Sequence, residues 1–320
     1  MSKIPVIIDT DPGIDDTIAI IMLAGSDKVD IKALTTTHGN VGLEGTTRNA
    51  LCLRELLDLD CEVAKGAAKP MIVSLKEASI VHGKNGMAEY ELPEPTKPLS
   101  EKAAWDVMYQ TAKEQNGELV LVVLGPMTNV ALTILKYPDF HKYVKRIYMM
   151  GGSRDYGNHS QNAEFNIWGD PHACQVVLTS GIPITMADLV FGADLAISGK
   201  ELKEMYSHAK RLKPLMDAFI GHDERWSKIS AKRTGIEVPF DEYKVHIYDA
   251  TAAAALLLQD ESLVTEDYAV ICETQGTDTE GQTIFDPKGL LKMEPNVQLA
   301  VSMDREKFKN LIVSALEHFE

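Results

Sequence analysis

Residues 6 to 16 read V-I-I-D-T-D-P-G-I-D-D. The β-branched run Val6, Ile7, Ile8 has the composition of a buried strand, Pro12-Gly13 ends it, and the apolar periodicity from Ile14 to Leu23 is that of a helix. Four carboxylates, Asp9, Asp11, Asp15 and Asp16, therefore crowd one strand-to-helix turn. Like charges that close raise one another's pKa and oppose folding unless something offsets them. A hard divalent cation does so directly, because Ca²⁺ and Mg²⁺ prefer oxygen ligands. Helix capping accounts for Asp15 or Asp16. It does not account for Asp9 and Asp11, which precede the turn, at the carboxyl end of a strand where open α/β sheets hold their ligands.

Outward from this turn, β-branched apolar runs recur at 4–9, 29–37, 119–124, 145–150, 183–188 and 268–274. Helical periodicity falls between them, at 15–25, 43–57, 101–115, 128–137, 171–180, 200–230 and 249–259. This alternation predicts an α/β fold: a Rossmann-like, mostly parallel open sheet with helices on both faces. Polar clusters at 9–16, 35–40, 125–129 and 151–166 stand where strands end. At 320 residues, without linker, repeat or low-complexity run, the chain reads as a single domain over 1–320.

Composition excludes several function classes. A net charge of -15 argues against nucleic acid or an anionic membrane as partner. The amino terminus lacks a signal-peptide core and no apolar run reaches spanning length, so a cytoplasmic protein is expected. Cysteines 52, 61, 174 and 272 are isolated, which fits buried thiols in a reducing compartment rather than zinc or a redox motif. There is no G-x-G-x-x-G, Walker A, H-E-x-x-H or nucleophile elbow.

Taken with Gly39-Asn40, His82-Gly83-x-x-Gly86, Leu124-Gly125-Pro126-x-Thr128-Asn129, Ala163-Glu164-Phe165-Asn166 and Asp249-Ala250, the D-T-D-P-G-I-D-D stretch resembles the inosine-uridine preferring nucleoside hydrolase family, in order and spacing from Ile4 to the last helix. The resemblance implies Ca²⁺-dependent hydrolysis of the N-glycosidic bond of ribonucleosides to ribose and free base. It implies metal ligation by Asp11, Asp16, Asp249 and the Leu124 carbonyl, with Asp11 also taking a proton from the attacking water and Asn40 beside that water. Ribose contacts carry over to Asp15, Asn158, Glu164 and Asn166, and a loop histidine near the base to His82. Members are usually homodimers or homotetramers, and the same is expected here.

The chemistry agrees with those roles. Ribosyl cleavage passes through an oxocarbenium-like transition state, so carboxylates around the sugar stabilise a charge that the neutral substrate lacks. Asp15 and Glu164 fit this, with Asp9 behind them. One position departs from the common pattern: Tyr248 stands where many members carry the histidine associated with protonating the base. An aromatic there stacks a base or donates a phenolic proton, and leans the expectation towards purine ribonucleosides. His246, two residues earlier, is expected to point elsewhere, and His38 to be structural. Two rivals compete. A haloacid-dehalogenase-type Mg²⁺ phosphatase also begins with D-x-D, but Gly13 and the Asp15-Asp16 pair have no place in it. A non-catalytic nucleoside-binding protein would keep the pocket without turnover.

Overall fold

In a computed structural model describing residues 3–320, twelve strands occur: β1 Ile4–Thr10, β2 Val29–Thr36, β3 Glu62–Lys65, β4 Leu119–Val123, β5 Val144–Met150, β6 Ile184–Ala187, β7 Ile197–Ser198, β8 Lys244–Val245, β9 Val264–Tyr268, β10 Val270–Cys272, β11 Thr283–Phe285 and β12 Val297–Ser302. The helices are α1 Ile14–Ala24, α2 Leu43–Leu56, α3 Ser79–His82, α4 Ala104–Glu114, α5 Thr128–Lys136, α6 Phe165–Gly169, α7 Pro171–Leu178, α8 Leu189–Asp194, α9 Gly199–Tyr206, α10 Lys213–Thr234, α11 Tyr248–Leu257 and α12 Arg305–His318. Eight strands form the central sheet in the order β3-β2-β1-β4-β5-β6-β12-β9, parallel except for the edge strand β9. Buried helices cover both faces, which is why β4, L-V-L-V-V, is buried at every position. Among the described residues no helix is long and apolar enough to cross a membrane.

Three expectations about elements need correction. The run at 268–274 is not one sheet strand: Tyr268 ends β9, while β10 pairs with β11 in a separate hairpin. The sheet position beside β6 belongs to β12, V-Q-L-A-V-S, whose contiguous apolar run is only Leu299-Ala300-Val301. The helical pattern over 200–230 divides into α9 and α10. Pro214 opens α10, and its ring and missing N–H forbid a helix running through from α9.

Chain order reverses beside β1. β2 and β3 lie on one side of it, β4 and its successors on the other, so a crevice opens outside the carboxyl ends of β1 and β4. The Asp9–Asp16 turn lies at that crevice.

Candidate active site

The turn folds as its residues dictate. Pro12 and Gly13 end β1, Gly13 caps α1, and Asp16 at the third helical position reaches back to accept the Gly13 N–H at 3.0 Å. Asp16 also accepts the Thr10 hydroxyl at 2.5 Å and an Asn40 amide N–H at 2.9 Å. Asn40, just beyond β2, is the organiser. Its backbone N–H donates to Asp11 Oδ2 at 2.7 Å and its side-chain amide to the Asp11 carbonyl at 3.0 Å. Asp11 is further confined by two glycines, since a Cβ at Gly39 would collide with its Oδ2 and one at Gly125 with its Oδ1.

Two oxygens remain orphaned at this floor. Asp11 Oδ1 and Asp15 Oδ1 are buried without a hydrogen-bond partner among the described residues. Asp249, in the first turn of α11, joins Asp15 and Asp16 in a triad whose oxygens lie within 4.8 Å of one another. Asp11 stands outside that tight triad but feels its charges. Burial, then neighbouring carboxylates, pushes Asp11 and Asp249 well above the usual carboxylate range and raises Asp16; burial takes Asp15 to about 6. Buried carboxyls with free oxygens and mutual repulsion are a donor set suited to a hard cation. The Leu124 carbonyl, at the end of β4, is held by Asn166 Nδ2 at 2.7 Å.

Above this floor opens a cavity of about 390 Å³. It is lined by Asp15, Asn40, His82, Leu124, Asn158, Glu164, Asn166, Tyr248 and Asp249, which brings together every expected site residue except Asp11 and Asp16, buried beneath them. A second cavity, of about 420 Å³, opens among Lys3, Asp30, Asp58, Arg211 and Phe319, with no comparable cluster of orphaned carboxylates. Glu164 caps α6: its Oε1 accepts Asn166 N–H at 2.9 Å and its Oε2 accepts Gly152 and Ile167 N–H at 3.0 and 3.2 Å. It is buried, and burial raises it to about 7. Asn158 is at the rim, with its amide oxygen taken by Phe165 N–H at 2.9 Å. Asp9 stays out of the cavity, accepting from Thr35 and Asn129 at 2.7 and 2.8 Å. His38, bonded to Thr128 at 3.1 Å, is structural.

His82 ends the short helix α3, and its Nδ1 faces the Ile14 N–H at 3.3 Å and Asp15 Oδ1 at 3.8 Å. Burial lowers this imidazole to about 4, so it is neutral at pH 7 with Nδ1 as acceptor. His246 requires a correction. Instead of pointing away, it lines the same cavity and stacks on Tyr248, ring centroids 5.2 Å apart and planes 7° apart. The link between β8 and α11 is irregular, with Ile247 at φ -112° and ψ 71°, so neither strand nor helix spacing fixes where His246 points. Residues 222, 223 and 226 on α10 also line the cavity and were not expected from the sequence, nor were His159 and Phe165. No motif marks them, because on an amphipathic helix a cavity-facing acid looks like a solvated one.

The sequence matches the family described as inosine-uridine preferring nucleoside hydrolase over residues 6–310. It is 35% identical over 323 residues to the pyrimidine-specific ribonucleoside hydrolase RihA of Escherichia coli, covering 99% of each chain. The fold is similar to that of a plant nucleoside hydrolase, PpNRh1, with TM-score 0.88 at 28% identity over 99% of both chains. It is similar also to a purine-preferring ribonucleoside hydrolase from Gardnerella vaginalis, with TM-score 0.86 at 27% identity over 98% of both. A carboxylate floor beneath an aromatic-lined cavity suits a ribosyl cation beside a departing base, and with sequence and fold agreeing along nearly its whole length the chain belongs to the inosine-uridine preferring nucleoside hydrolase family and is a ribonucleoside hydrolase.

Proposed function

We propose that residues 1–320 act as one unit that cleaves ribonucleosides with Asp11 as the base. The observation carrying this is the orphaned Asp11 Oδ1, fixed by Asn40 and two glycines and lacking a donor. A water placed against it loses its proton to Asp11 as it attacks the anomeric carbon. The attacked sugar gains positive charge, which Asp15 and Glu164 stabilise more than they do the neutral nucleoside. Three backbone N–H groups hold Glu164 in place, so little reorganisation is needed during reaction. Asp11, Asp16, Asp249 and the Leu124 carbonyl would hold Ca²⁺ through oxygen alone, and the bound ion would supply Lewis acidity beside the sugar.

The departing base is handled by stacking on Tyr248, and purine ribonucleosides are preferred on the strength of that ring and its His246 neighbour. Burial, with the charges of nearby Tyr156 and Asp15, pushes the Tyr248 hydroxyl up, which suits a platform better than an acid. A second reading, preference for pyrimidines, is supported by the 35%-identical relative named for that specificity. We propose the cytoplasm as the setting, in keeping with four free thiols. Homo-oligomerisation fits the exposed apolar pair Ile80 and Val81 at the cavity mouth. A panel of ribonucleosides and deoxyribonucleosides with reducing-sugar readout tests the activity. Inosine should be cleaved faster than uridine, and deoxyribonucleosides should fail for want of the 2′ hydroxyl. Uridine cleaved faster establishes the second reading, and equal turnover of deoxyribonucleosides refutes the proposed ribose grip.

A further inference from the structure

Asp223 stands in the cavity wall without a partner among the described residues. Of the three acids on α10, Asp217 pairs with Lys213 at 2.7 Å and Glu224 with Lys203 at 3.1 Å. Asp223 forms no hydrogen bond or ion pair with any described residue. Its surroundings act on it only through burial and the negative charge of Asp15, and these push its carboxyl up to about 7. Three residues further along the same helix face, Trp226 also lines the cavity. A half-buried acid that faces a binding cavity and lacks a protein partner keeps its lone pairs for whatever fills that cavity.

The ribose already has its polar partners. Asp15 belongs to the carboxylate floor, and Glu164 and Asn166 lie together at the start of α6, whereas Asp223 shares the α10 wall of the cavity with Trp226, an indole that suits a planar heterocycle. We infer that Asp223 is a specificity-determining residue that accepts a hydrogen bond from a ring N–H of the departing base, favouring lactam bases over bases whose corresponding ring nitrogen is a bare acceptor. The inference rests on the ribonucleoside-hydrolase reading of this same cavity. Above about pH 8, where the probes are compared, the Asp223 carboxyl is ionised and can only accept, so it attracts a ring N–H and repels a ring lone pair. Discrimination of this kind is large, because the wrong partner leaves a buried polar group unpaired.

Inosine and purine riboside serve as the probes: the first carries a ring N–H on the base edge, and the second carries a lone pair at the same nitrogen. The measured quantity is the ratio of their kcat/KM values in the unsubstituted enzyme, in Asp223→Ala and in Asp223→Asn, each with its melting temperature. In Asp223→Ala the ratio should fall about tenfold to a hundredfold, through loss on inosine. Asp223→Asn keeps the shape but adds an N–H donor that can pair with the bare nitrogen of purine riboside, so its ratio too should fall below that of the unsubstituted enzyme; it also decides the matter where Asp223→Ala melts early. An unchanged ratio in both variants, or a parallel loss on both nucleosides, overturns the assignment while leaving the ribonucleoside-hydrolase reading intact. If the unsubstituted enzyme releases no base from any ribonucleoside, the parent reading falls and this one falls with it.

Discussion

Asp11 illustrates how much of this site depends on single atoms. One of its oxygens is tied to the Asn40 N–H and the other is buried and free; Asp9 also has a free oxygen, but Asp11 lies among the charges of Asp15 and Asp16 at the floor. Asp11→Asn should therefore lower kcat about 10²- to 10⁴-fold, measured at saturating calcium so that loss of base and loss of metal separate. Near-normal turnover would show that another group takes the proton. Glu164 is poised differently, because both its oxygens accept from backbone N–H groups, of α6 and Gly152, and only Oε1 keeps a lone pair to spare. At Tyr248 the ring and the hydroxyl can be told apart. Tyr248→Phe should keep most of the activity. Tyr248→Ala should cost about 1 to 3 kcal/mol in kcat/KM, the range of base-aromatic stacking. Collapse in Tyr248→Phe would instead make the phenol the acid.

At the scale of elements, the turn from β1 to α1 matters through the neighbours that press on it. Gly125, after β4, leaves room for Asp11 Oδ1, and a Cβ there would occupy that oxygen's place. Gly125→Ala should displace the carboxylate, cutting both turnover and calcium affinity while the far-UV spectrum stays native; full activity would mean that Asp11 moves without consequence. This turn was legible in the sequence because strand, breaker, cap and acids are contiguous there, and each has its own physical signature. So were Glu164 and Asn166, though not the capping role that holds Glu164. What escaped has equally physical causes. His246 sits in the irregular link between β8 and α11, where neither strand nor helix spacing fixes its direction, and in β12 Gln298 leaves only the short apolar run Leu299-Ala300-Val301. Asp223 and Trp226 depend on how α10 is laid across the cavity after the Pro214 break, and no local pattern encodes that placement.

Over the whole molecule, the strand order 3-2-1-4-5-6 gathers acids from several segments at one crevice, together with the amino ends of α1, α6 and α11. Those positive helix ends ease the crowding of carboxylates without cancelling it. Asp15 is raised to about 6, Asp9 and Glu164 to about 7, and Asp11 and Asp249 well above the usual carboxylate range, in each case with burial as the largest cause. A carboxyl whose folded pKa exceeds its unfolded value favours the fold most when protonated. Stability from these groups is therefore fully present below about pH 4 and declines as pH rises through 6 to 7. A bound divalent cation reverses the sign of this effect at the floor, because it binds the ionised carboxylates and competes with protons. The gap in melting temperature between calcium-loaded and chelator-treated protein should thus be small near pH 4.5 and widen towards pH 7.5. At a hundredfold excess over Kd it should correspond to about 2.7 kcal/mol. A gap that stays constant with pH, or closes as pH rises, would mean that the cation is not held by these raised carboxyls, and the acids at the crevice would then have to serve the sugar alone.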